Sequence, residues 1–115
     1  MITVLGAIAG FIAVALGAFG AHALSDGFSE KASGWWETAT FYLLVHAALV
    51  TALSAATGSK FGLACGLLLA GAMLFAATLY AMALGAPRWF GAITPIGGLG
   101  MLAGWALIAW TALKA

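Results

Sequence analysis

Four long apolar runs separated by three polar breaks dominate the chain. Residues 2–24 contain no Asp, Glu, Lys or Arg and exceed the ~20 residues that cross a hydrocarbon core. Further runs occupy 36–57, 61–85 and 94–113. The first break, Ser25-Asp26-Gly27-Phe28-Ser29-Glu30-Lys31-Ala32-Ser33-Gly34, carries turn residues and reads as a loop. The second, Gly58-Ser59-Lys60, is tight enough to make its flanking helices antiparallel neighbours. In the third, Ala86-Pro87-Arg88-Trp89-Phe90-Gly91, proline and glycine stop the helix, and Thr94-Pro95 starts the next. The pattern predicts an all-α membrane protein, a compact antiparallel bundle of four transmembrane helices forming one domain over 1–115. Lacking a basic leader and too long for a signal core, the first run reads as a retained helix.

Within the runs, small residues recur at helical spacing. Gly6, Gly10, Ala13, Gly17 and Gly20 draw a seam down the first helix, Gly62, Gly66 and Ala70 down the third, and Gly97, Gly100 and Gly104 down the fourth. Such seams let backbones approach closely. The expectation is that a seam on the first or fourth helix joins copies of the chain, so that Gly10→Leu or Gly104→Leu shifts the oligomeric state.

Composition agrees with the pattern. Hydrophobic residues make up 65% of the 115 and charged residues 6%, with a mean hydropathy of +1.16, whereas soluble domains are about a quarter charged. A net charge of +1 offers no basic surface for nucleic acid. One cysteine, Cys65, excludes a metal or haem site built from thiolates, and no cofactor is expected. Lys60 and Lys114 fall on one side, Lys31 and Arg88 on the other. Basic residues therefore do not decide orientation, and the amino terminus favours cytoplasmic termini.

Polar chemistry gathers towards the loop-bearing face: His22, Glu37, Thr38, Tyr42, His46, Tyr80, Arg88 and Thr94. Thr38, Tyr42 and His46 are four apart and share a helical face. His46 lies about 15 Å below Trp36 along the helix, where an ionisable group needs a partner. Tyr42 and His46 are expected to point into the bundle and join a polar strand. Arg88, the single arginine, is expected to pair with Glu37. No Ser/His/Asp arrangement, phosphate loop or metal cluster is present, so the chain does not read as an enzyme.

Gly17-Ala18-Phe19-Gly20-Ala21-His22-Ala23-Leu24, then Trp36, Glu37, Ala39, Tyr42 and His46, Leu79-Tyr80, and Gly91-Ala92-Ile93-Thr94-Pro95-Ile96-Gly97-Gly98 with Gly104-Trp105 resemble the YgdD-type family of small bacterial membrane proteins. That family is a domain of unknown function, related to the eukaryotic transmembrane protein 256. The resemblance covers nearly the whole chain and implies a four-helix, multi-pass protein of the bacterial inner membrane with no established activity. The family often has glutamine after the tyrosine that Tyr42 matches; here Leu43 stands there.

Three readings of function follow. A packing or assembly protein, embedded in the bilayer and associating with itself or a partner membrane complex, ranks first. A small oligomeric transporter or channel for protons or solutes, using a Tyr42/His46 path, ranks second. A membrane enzyme using His22 and Glu37 ranks last.

Overall fold

The computed structural model describes residues 1–115, the side chains of 23–25 excepted. Its order is α1 (Ile2–Phe19), a π-helical turn (Gly20–Leu24), a 3-10 turn (Ser25–Gly27), α2 (Glu30–Thr57), α3 (Gly62–Ala83), a 3-10 turn (Arg88–Ala92) and α4 (Thr94–Lys114). Among the described residues there is no strand, and all four helices are long and apolar enough to cross a membrane. The longest dimension is 49 Å, matching a bilayer of about 40–45 Å with its headgroups.

Helix boundaries follow local chemistry. Ser29 caps α2, its Oγ accepting the Ala32 N–H at 3.0 Å, a standard way to satisfy an orphan amide. This cap starts α2 at Glu30 rather than at 36. The resulting 28 residues extend about 42 Å, so the first turns rise beyond the ~30 Å hydrocarbon. Gly58, at φ 63°, closes α2 in a left-handed conformation that glycine adopts without penalty. At α4, Ile93 takes the N-cap position and Pro95 lies in the first turn. Thr94, the first residue of α4, turns its hydroxyl into the protein.

Packing runs in chain order. α1 lies on α2, α2 on α3 and α3 on α4, while α1 only brushes α3. Half of the central stretch of α3 is buried within the chain, against 17% for α1 and for α4; α3 is the hub and the outer two helices face lipid. Contacts that descend one helix as they climb its neighbour make each pair antiparallel: Gly6, Gly10, Gly17 and Gly20 meet Thr51, Ala47, Thr40 and Trp36. The core combines small residues (Ala13, Ala39, Ala47, Ala72) with Val50, Cys65 and Leu68.

The glycines divide into two groups. Gly71, Gly97 and Gly100 bring α3 and α4 together backbone to backbone; a Cβ on Gly71 would lie 2.7 Å from the Gly97 carbonyl, and one on Gly97 2.6 Å from that of Gly71. Gly104 abuts Leu68. Gly62 and Gly66 have nothing within 4 Å of where a Cβ would stand. The expected α3 seam therefore faces out of the chain, and α3 packs instead through Gly71. The fourth-helix seam is consumed within the chain, which corrects Gly104→Leu as a probe of self-association. Gly6 and Gly17 on α1, and Gly20 in the π-helical turn after it, are likewise covered by α2.

Candidate functional site

Helices buried in hydrocarbon must satisfy their polar side chains internally, and here those side chains fasten one helix to the next. Trp36, 5% exposed, donates its indole N–H to the Leu16 carbonyl at 2.7 Å. Its ring lies over Gly20, where any side chain would collide with it. Tyr80 meets the same ring edge-on at 4.5 Å, and its hydroxyl shares a 2.6 Å hydrogen bond with Thr40. α1, α2 and α3 thus converge on one indole.

Lower down, His46 fastens α2 to α4. Its Nδ1 lies 2.7 Å from the Tyr42 carbonyl. A carbonyl only accepts, so Nδ1 carries the proton. Nε2 then accepts the Trp105 indole N–H at 3.1 Å. Both contacts are satisfied together only by the neutral Nδ1–H tautomer. An imidazolium would set an Nε2–H against the indole N–H, donor against donor. Trp105 in turn needs this acceptor, because it lies eleven residues into α4, about 16 Å down and far from the headgroups.

Two hydroxyl pairs complete the set. Thr78 and Thr94 share a buried 2.7 Å hydrogen bond between α3 and α4. Ser54 donates to the Val50 carbonyl at 2.6 Å, so Thr3 is the donor in its 2.6 Å contact with Ser54, tying α1 to α2. No buried side-chain nitrogen or oxygen among the described residues lacks a partner.

The expected polar cluster is therefore dispersed. His46, Tyr80 and Thr94 are buried, in three different links. Tyr42 is 38% exposed and stacks along His46 and against Phe75. His22, Glu37, Thr38 and Arg88 are exposed. Glu37 and Arg88 form no ion pair among the described residues. Glu37 is turned towards the end of α1, whereas Arg88 sits on the turn joining α3 to α4. No three His, Cys, Asp or Glu side chains converge as metal ligands among the described residues.

Sequence reasoning missed Thr40, Thr78, Thr3, Ser54 and the role of Trp105. Thr38 was favoured for sharing a face with His46, but that stripe leaves α2 outward at Thr38. Thr40, two residues on, faces Tyr80. A tryptophan eleven residues inside a span was itself the available signal, since belt tryptophans sit at the ends. Leu43 is buried among apolar side chains.

Four apolar helices with internally satisfied polar groups define a multi-pass integral membrane protein. The chain belongs to the family described as protein of unknown function (DUF423), whose profile matches residues 16–98. It is 43% identical over 111 residues to a UPF0382 membrane protein of Haemophilus influenzae, covering 94% of this chain and 90% of the relative. To a UPF0382 membrane protein of Staphylococcus epidermidis it is 40% identical over 114 residues, 96% and 93% of the two chains. To the UPF0382 inner membrane protein YgdD of Escherichia coli K12 it is 37% identical over 115 residues, 96% and 88%. No solved structure matches. With its four spans, the chain is a bacterial inner-membrane protein.

Proposed function

We propose that this protein is a packing and assembly element of the inner membrane, acting through its helix faces on copies of itself or on a partner membrane complex. The observation that carries the reading is the commitment of its buried polar groups to fastening its own helices, His46 included. The outward faces of α1 and α4, with Phe11 77% and Leu102 67% exposed, and the open glycines Gly62, Gly66 and Gly98 leave apolar, small-residue surface for other helices. Small-residue faces favour helix association in lipid. A Tyr42/His46 transport path is less well supported, since a relay through His46 requires a ring nitrogen free to exchange its proton.

The test is purification in a mild detergent followed by native mass measurement. A retained self-complex or stoichiometric membrane partner, lost on Gly62→Leu or Gly66→Leu, is the expected result. A bare monomer that moves protons or solutes when reconstituted in liposomes would replace this reading with the transport one.

A further inference from the structure

At the loop-bearing end, α1 and α2 enclose a cleft of about 300 Å³, within the size range of small-molecule sites. Trp36 forms its floor, and Phe28 stands over that ring at 5.5 Å between centroids. Phe41, 65% exposed, continues the wall into the hydrocarbon, and Ser33 and Glu37 mark the mouth. Most of the other polar lining is already engaged: the Thr40 hydroxyl with Tyr80 and the Trp36 N–H with Leu16. Glu37 makes no ion pair among the described residues. It stands beside Trp36, which packs against Tyr80 in the last turn of α3, so this carboxylate sits at the hydrocarbon boundary.

We propose that this cleft binds a lipophilic monocation, an ammonium or phosphonium centre on an apolar body. The positive centre sits between Glu37 and the aromatic wall of Phe28, Trp36 and Phe41, which also receives the apolar body. One general attraction and two observations point to this chemistry. Aromatic faces attract a cation through their quadrupole, most strongly when water is excluded. Glu37 has no ion-pair partner among the described residues, so a cation entering the cleft meets an unneutralised carboxylate at the edge of the hydrocarbon. The same face of α2 carries Glu30 about two turns above Glu37, while Lys31 is drawn away, its Nζ 5.7 Å from the Trp35 ring. Among the described residues the cleft lining carries one acid, Glu37, and no lysine or arginine, so a zwitterionic lipid's phosphate meets repulsion there and a free cation is favoured over a lipid headgroup. This site is independent of the assembly reading and stands whatever the oligomeric state.

The experiment is equilibrium dialysis of labelled tetraphenylphosphonium against the full chain in dodecylmaltoside, with tetraphenylborate as the anion of the same shape. Saturable binding of one cation per chain is expected, with no saturable binding of the borate. Glu37→Gln weakens it by about tenfold or more, and Phe41→Ala by about threefold. Both positions are exposed, so both variants keep the wild-type unfolding midpoint. Glu30→Gln, outside the cleft, changes affinity less than about twofold. Absence of saturable binding, equal affinity in Glu37→Gln, or equal binding of the borate overturns the proposal. Displacement by phosphatidylethanolamine as readily as by unlabelled cation also overturns it, in favour of a headgroup site.

Discussion

The α1–α2 and α3–α4 interfaces are both antiparallel and both rich in glycine, yet they use it in opposite ways. Between α3 and α4, Gly71, Gly97 and Gly100 remove side chains so that two backbones touch. Between α1 and α2, Gly20 makes room for an indole, Gly6 for the Thr51 hydroxyl and Gly17 for the Thr40 methyl. In the first case the neighbour is rigid main chain. In the second it is mostly a side chain, which can shift where it is not itself pinned, as Trp36 is by Leu16 and Tyr80. The same glycine spacing in sequence therefore hides two different tolerances to substitution.

The largest effect should come from the rigid interface. Gly97→Ala places a methyl against the Gly71 carbonyl and the Phe75 amide at 2.6 Å. No rotamer relieves that contact, so the helices must part. A loss of about 3 kcal/mol is expected, read from unfolding in mixed micelles, with Gly71→Ala equivalent. A loss no greater than that of Gly17→Ala would remove the distinction between the two interfaces.

Next comes the indole that organises α1 and α2. Trp36→Phe keeps most of the apolar area but deletes the donor to Leu16, leaving a part-buried carbonyl with only its backbone partner, the Gly20 N–H. The expected destabilisation is about 1–2 kcal/mol, with α1 loosening first. Hydrogen exchange should show faster opening of Gly17–Gly20 amides while α3 and α4 stay protected.

The α2–α4 link should give a smaller, pairwise signal. His46→Leu and Trp105→Phe each remove one partner of a 3.1 Å hydrogen bond. A double-mutant cycle on unfolding free energy should return a coupling of about 1 kcal/mol, within the range seen for hydrogen bonds between membrane helices. Additive losses would mean that the ring contact, with centroids 6.0 Å apart, matters more than the proton between them.

The smallest effect is expected at Gly10, whose added methyl would stand 3.7 Å from Ala47 Cβ, ordinary contact. Gly10→Ala should stay within about 0.5 kcal/mol of wild type. A large loss there would show that α1 and α2 are as intolerant of bulk as α3 and α4.

How far the sequence speaks for itself depends on the range of the interaction concerned. The four spans were legible because length and apolarity are local and the bilayer fixes the length required. The start of α2 was less so: Ser29 is a capping residue, but the serines, glycines and charges around it read equally well as loop. Which glycine faces which helix was not legible, because small residues occur on every face and only tertiary packing selects Gly71 over Gly62 and Gly66. The site was partly legible. His46 was correctly placed inside, but its partner Trp105 lies 59 residues away, and no local pattern couples them. The Glu37–Arg88 pairing rested on shared depth, which says nothing of rotation about the helix axis.

The packing of each helix mainly on its chain neighbours bears on how the protein is made. An emerging α2 finds α1 already in the bilayer, α3 finds α2, and α4 finds α3, so no helix waits for a distant partner before it can bury its polar side chains. Assembly of this kind follows the direction of synthesis. It keeps loop closure short and fast. The His46–Trp105 contact is the exception: from its insertion until α4 arrives, the Nε2 of His46 has no indole to meet. Translation paused between α3 and α4 should leave that histidine open to small imidazole-reactive probes, and completion of α4 should close it.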